Sequence, residues 1–232
     1  MENIKAKLAR IEQNSEAIIL LHGLARTGRS MKNAGRLFSE YGYQIITIDY
    51  PSRHYGIERL ALDYIEEGVR KCEPLPINRI HFFTHSLGGI LLRYYLSRQR
   101  IDKLGRAVML APPNQGSEIV DKLGAWKLFK YFGGPAGLQL GTKADSLPNS
   151  LGSVHFPVGV IAGDKPVNPF LSRLISGAND GKVSVERCRV EGMQDFLVVP
   201  FSHTFIMQRD YIIEQSLHFI QHGFFWHEKG AD

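Results

Sequence analysis

Six short apolar runs, separated by longer segments of helical period, constrain this chain more than any other feature. They are Ala17-Ile-Ile-Leu-Leu21, Gln44-Ile-Ile-Thr-Ile48, Ile80-His-Phe-Phe83, Ala107-Val-Met-Leu110, Val158-Gly-Val-Ile161 and Phe196-Leu-Val-Val199. Near-continuous runs of this length, rich in Ile and Val, read as strands covered on both faces. Between them, Met31, Ala34, Leu37, Phe38 and Tyr41 fall at helical spacing, and so do Ile57, Leu60, Ala61, Tyr64, Ile65 and Val69. Alternation of strand and helix predicts an α/β fold with a mostly parallel central sheet of about six strands and helices on both faces. The chain has 232 residues, 44% of them hydrophobic. That is enough for one core, so a single domain over residues 1–232 is expected.

One connection breaks the pattern. Residues 118–140 mix Trp126, Leu128, Phe129, Tyr131 and Phe132 with Gly124, Gly133, Gly134 and Pro135. The segment is too long for a plain turn between strands. It reads as a small lid-like excursion over a site, with Trp126 and Phe129 as expected substrate contacts.

In sheets of this kind the site lies at the carboxyl ends of the strands. The stretch Thr84-His-Ser-Leu-Gly-Gly89 follows the third apolar run and precedes the helix-like Ile90-Leu-Leu-Arg-Tyr-Tyr-Leu96. Strand, small-x-Ser-x-Gly and helix is the layout of a nucleophile elbow, in which a sharp turn lifts the serine above the sheet edge. Such a turn needs small residues two positions either side of the serine. Gly88 meets that need, and Thr84 stands where glycine is commonest.

A serine hydroxyl is a poor nucleophile at neutral pH and requires a base, an orienting carboxylate and donors for an oxyanion. Of the nine histidines, His203 is the best placed, in Phe201-Ser-His-Thr204 after the last strand. Two acids compete. Asp164 directly follows the fifth run, whereas Asp180 lies in the turn-prone Asn179-Asp-Gly181; Asp180 is preferred and Asp164 stays open.

The chain order Ser86, Asp180, His203 resembles that of the α/β-hydrolase superfamily. His22-Gly-Leu-Ala-Arg-Thr-Gly28 after the first strand resembles the segment that forms half of their oxyanion hole. Together with Tyr50-Pro-Ser52, Thr-His-Ser-Leu-Gly-Gly, Ala111-Pro-Pro-Asn-Gln-Gly-Ser117, Asn-Asp-Gly-Lys-Val and Ser-His-Thr, it looks like a bacterial lipase/esterase branch, over residues 17–221. The resemblance implies oxyanion donors at the backbone N–H groups of Leu24 and Leu87. It implies hydrolysis of carboxylic esters through an acyl-enzyme, with a small ester or lipid-like molecule as substrate. A thioesterase, amidase or acyltransferase would use the same three residues, and a non-catalytic receptor on the same fold is the rival of a different class.

The remaining signals are exclusions. The 28 Lys and Arg are scattered among 23 acidic residues, leaving a net charge of +5 without a basic run, so no nucleic-acid partner is expected. No G-x-G-x-x-G follows the first strand and no P-loop occurs, so no nucleotide cofactor is expected. His218 and His222 are four apart on a predicted helix but lack the glutamate of an H-E-x-x-H site, and no metal is expected. No stretch approaches the roughly 20 apolar residues of a membrane span, so stable insertion is not expected. Cys72 and Cys188 read as free buried thiols, which leans toward a cytoplasmic location. Arg26, two residues beyond Leu24, is a candidate contact for a substrate carboxylate or phosphate, or one side of a loop ion pair. Phe224-Phe-Trp226 reads as a plug that docks the terminal helix. Nothing in the sequence fixes the oligomeric state.

Overall fold

The computed structural model describes residues 15–227, apart from the side chains of Leu128, Phe129, Lys130, Phe132 and Leu171. Its six strands are β1 (Glu16–Leu21), β2 (Gln44–Ile48), β3 (Arg79–His85), β4 (Leu104–Leu110), β5 (Val158–Gly163) and β6 (Asp195–Val199). They form one sheet in the order β2-β1-β3-β4-β5-β6. Every pair is parallel.

The apolar runs are continuous because both faces of the sheet are covered. Ala17, Ile19 and Leu21 of β1 pack into one cluster with Leu60, Ile65, Ile90 and Leu91, whereas Ile18 and Leu20 pack into a second with Phe38, Ile213, Leu217 and Phe219. The first cluster lies under the helical stretch 57–72 and α3, the second under α1 and α6; in chain order, α1 is Lys32–Glu40, α2 is Glu66–Cys72 at the end of that helical stretch, and α3 is Leu87–Leu96. α4 (Glu118–Leu123) and α5 (Lys127–Leu138) make up the excursion, and α6 (Asp210–His222) is the terminal helix. Period 2 along each strand therefore serves two different cores.

β1 lies between β2 and β3, so the chain leaves the sheet centre in opposite directions on either side of it. This is a topological switch point, where loops from neighbouring strands part and leave a crevice. Register brings Leu21 of β1 beside Thr84 of β3, and His85 beside Leu110 of β4. The loops carrying Leu24, Ser86 and Ala111 consequently open at one level.

The excursion is anchored rather than loose at its second half. α5 is kinked at Gly134, whose φ is 59°, with Pro135 next to it. A Cβ at Gly134 would lie 2.0 Å from the carbonyl oxygen of Arg53, so only glycine lets the kink press onto the loop after β2. Gln139 continues the join, accepting from the Ile57 N–H at 2.7 Å and donating to Glu58.

Cys72 and Cys188 are free and buried, and burial pushes the Cys72 thiol up to about 11. Phe225 is fully buried against Phe219 while Phe224 and Trp226 stay half exposed, so one ring of the three forms the plug. No helix among the described residues is long and apolar enough to cross a membrane.

Candidate active site

β3 ends at His85 and α3 begins at Leu87, leaving Ser86 alone at the turn. Its φ of 51° and ψ of −117° lie where a side chain is strained, at a cost of about 1–3 kcal/mol. The neighbours explain how the turn fits. A Cβ at Gly88 would meet the carbonyl oxygens of Leu21 and His22 at 2.7 and 3.0 Å, and one at Gly23 would meet His85 Nδ1 at 2.6 Å. Thr84 is tolerated because it is still on β3, buried, with its hydroxyl toward the Val108 carbonyl. The Ser86 N–H donates to the Leu110 carbonyl at 2.8 Å, which ties the turn to β4.

His203 reaches this serine from the loop after β6. Its Nε2 is 3.0 Å from Ser86 Oγ and its Nδ1 is 2.7 Å from Asp180 Oδ2. A carboxylate only accepts, so Nδ1 carries the proton and Nε2 offers a lone pair to the serine hydroxyl. Asp180 is itself fixed: Oδ1 accepts from the N–H groups of Lys182 and Val183 at 2.9 and 2.8 Å. The His203 N–H donates to the Asp180 carbonyl at 3.1 Å. All three residues are buried.

Asp164 stands differently. It joins His203 by no hydrogen bond or ion pair among the described residues, and its Oδ1 is buried without a partner.

Leu87 is the first residue of α3, so its N–H has no acceptor within the helix and points with the positive end of the helix dipole. Leu24 follows Gly23, and no hydrogen bond of its N–H occurs among the described residues. His22 holds that loop. It stacks on Tyr50 with ring centroids 3.9 Å apart, its Nδ1 donates to the Gly23 carbonyl at 2.9 Å, and Tyr50 Oη donates to the His22 carbonyl. Burial lowers the His22 pKa, with the Asp49 carboxylate 3.2 Å from Nε2 opposing.

A cavity of about 300 Å³ opens over Ser86 and His203, walled mainly by apolar side chains including Leu24, Pro113, Ile119, Leu123, Leu140 and Val183. A larger, more open cleft of about 880 Å³ lies near Tyr94, Leu138 and Leu151, and Ser86, Asp180 and His203 do not line it.

Among solved structures, the mature form of lipase BlEst2 from Bacillus licheniformis is similar over 88% of both chains at 18% identity, with a TM-score of 0.63. The fold is that of the α/β-hydrolases. A metagenomic carboxyl esterase shares this α/β-hydrolase fold at 18% identity over 84% of this chain and 66% of its own, with a TM-score of 0.67. Phospholipase PlaB from Legionella pneumophila is similar at 20% identity over 81% of this chain, with a TM-score of 0.65, and the matched part is 53% of the phospholipase. The chain thus spans about half the length of that enzyme. No protein-family model matches the sequence, and no curated protein does.

Within the α/β-hydrolase frame, the expected substrate contacts fare unequally. Trp126 does not line the cavity: it is the extended residue between α4 and α5 and is 61% exposed. The side chain of Phe129 lies outside the described residues. Among the described side chains, the excursion lends the walls aliphatic groups: Ile119, Val120, Leu123 and Leu140. His218 and His222 stack with centroids 4.4 Å apart, and His218 Nδ1 donates to the Phe224 carbonyl at 2.8 Å. No group of three metal-ligating side chains occurs among the described residues.

Two supports escaped sequence reasoning. Arg93 of α3 is buried and donates to the Asn114 and Gly152 carbonyls at 2.8 and 2.6 Å, while Asn114 Nδ2 donates to the Cys188 carbonyl at 2.7 Å. Burial pulls the Arg93 pKa down to about 10. This bracket holds the Pro112-Pro113-Asn114 loop beside the serine, and a lone arginine inside the apolar run Leu87–Leu96 was the signal for it. The other is His85, which is buried, kept neutral by burial and by His203, and donates through Nε2 to the His203 carbonyl at 3.0 Å.

Proposed function

We propose that this chain is a serine hydrolase of carboxylic esters, with Ser86 as nucleophile, His203 as general base and acid, and Asp180 as the orienting carboxylate. The observation that carries the reading is the continuous path Asp180 Oδ2, His203 Nδ1, His203 Nε2, Ser86 Oγ, with steps of 2.7 and 3.0 Å, at a serine in the strained turn before a helix. Names among the structural neighbours, lipase and carboxyl esterase, point to the same chemistry.

In this reading His203 Nε2 takes the hydroxyl proton as Oγ bonds to the ester carbonyl carbon. The carbonyl oxygen becomes an oxyanion facing the N–H groups of Leu24 and Leu87, where each well-placed donor contributes about 3–4 kcal/mol of barrier lowering. The C–O bond to the alcohol then breaks, and the imidazolium returns the proton to the leaving oxygen. Water repeats the two steps on the acyl-enzyme and releases the acid. Asp180 holds the imidazole tautomer and stabilises its charged form without taking the proton.

The excursion 118–140 supplies much of the acyl wall. A cavity of about 300 Å³ is at the small end for ligand pockets. A series of p-nitrophenyl esters is therefore expected to show kcat/KM highest for acyl chains of about two to six carbons and falling beyond them. A preference for long chains would require the excursion to open. Absence of turnover above the uncatalysed rate for every ester would overturn the reading.

A further inference from the structure

We infer that Arg26 and Lys182 form an anion subsite beside Ser86 on the leaving-group side, so that the ester taken by this site is one whose alcohol carries a phosphate or carboxylate. The inference rests on the ester-hydrolase reading above and names the class of alcohol.

Both residues line the cavity over Ser86 and His203, and among the described residues they are the two Lys or Arg side chains in its walls. They come from opposite sides. Arg26 follows the Leu24 donor in the loop after β1, while Lys182 follows Asp180 in the loop between β5 and β6. Arg26 Nη2 donates to the Thr204 carbonyl at 3.0 Å, which places the guanidinium next to the loop that carries His203. In the proposed chemistry His203 Nε2 protonates the departing alcohol. The alcohol therefore leaves beside His203, whose loop Arg26 contacts.

Neither cation is neutralised. Among the described residues no carboxylate forms an ion pair with Arg26 or Lys182, and the Lys182 ammonium makes no hydrogen bond. A guanidinium has five N–H donors in a planar fork that matches an oxyanion. Nη2 is engaged by the Thr204 carbonyl, and Arg26 borders both this cavity and a neighbouring cleft lined by Asp49 and Tyr50. Lys182 is exposed to solvent; partial desolvation and the nearby Arg26 lower its pKa, with Asp180 opposing. Burial lowers the Arg26 pKa as well. Two cations on one rim repel each other, and an anion bound between them relieves that cost. His85 is no competitor for the anion, since burial keeps it neutral.

The closest alternative makes Arg26 a brace that positions the His203 loop through Thr204. The two roles separate in a comparison of three esters sharing a hexanoyl group: those of glycerol, glycerol phosphate and lactate. Wild-type protein is expected to cleave at least one of the two anionic esters with a kcat/KM about ten- to a hundred-fold above the glycerol ester, the range for charge-assisted hydrogen bonds. Preference for the glycerol phosphate ester identifies a phosphate-bearing alcohol, and preference for the lactate ester a carboxylate-bearing one. In Arg26→Gln and Lys182→Gln that ratio is expected to fall toward unity, and the ratio, being internal to each protein, is insensitive to partial misfolding. Equal cleavage of all three esters by wild-type protein would overturn the subsite. So would variants that lose all three activities by one common factor, which is what a brace would do. If p-nitrophenyl esters are not cleaved either, it is the ester-hydrolase reading that has failed, not the subsite alone.

Discussion

Ser86→Ala is expected to lower kcat for ester hydrolysis by about 10⁶-fold, the loss seen when the nucleophile of a serine triad is removed. Ser86 Oγ is the atom that His203 Nε2 meets at 3.0 Å, and no second hydroxyl makes that contact among the described residues. A residual rate above water would remain from the Leu24 and Leu87 donors and from binding, because those groups are untouched. The folded state should change little. Alanine carries the same Cβ into the same strained turn, and the turn's tie from the residue 86 N–H to the Leu110 carbonyl is a backbone bond. A variant that melts near the wild-type temperature and keeps more than about a hundredth of the activity would mean that another residue attacks the ester.

Asp180→Asn is expected to cost about 10⁴-fold in kcat, as the same exchange did in a comparable triad. The asparagine amide would donate to His203 Nδ1, and that ring would then carry its proton on Nε2, where no lone pair is left for the Ser86 hydroxyl. The cost is electronic and not steric, because the side chains are nearly equal in size. Asp164→Asn makes the internal control, since Asp164 joins His203 by no hydrogen bond or ion pair. Its loss should be far smaller. Measuring kcat for both variants decides between the acids, and the reverse ranking would transfer the orienting role to Asp164.

The four central strands were legible because they are buried on both sides, so each apolar run survives whichever core a given side chain faces. β6, at the sheet edge, is the weakest case, with Asp195, Phe196 and Leu197 only half-buried. Ser86 and His203 were nameable because each follows an apolar run that ends in residues suited to a tight turn, and Asp180 because it sits in a turn-prone Asn-Asp-Gly. Between Asp164 and Asp180 the sequence supported a preference for Asp180 on its turn-prone Asn-Asp-Gly but left Asp164 open. What brings Asp180 to the histidine is a turn closed by the Asn179–Ser184 bridge and two N–H bonds to its own carboxylate, and this geometry leaves no periodic trace. The excursion was visible only as an anomaly. Its glycines and proline hide two helices and a kink at Gly134, and aromatic composition drew attention to Trp126, while among the described side chains aliphatic residues form the wall. Arg26 already stood out in sequence as a candidate contact for an anionic group, whereas Lys182 looks like an ordinary surface cation until the loops after β1 and β5 are brought to one rim.

Labelling with a fluorophosphonate probe, followed by mapping of the modified peptide, tests the central assignment most directly. Phosphorus is attacked readily only by a serine that has both a base within reach and donors for the developing oxyanion. One label per chain is predicted, on Ser86, formed rapidly in the native protein and absent from Ser86→Ala. Rapid labelling of a different serine, or labelling of Ser86→Ala at the wild-type rate, would contradict the assignment.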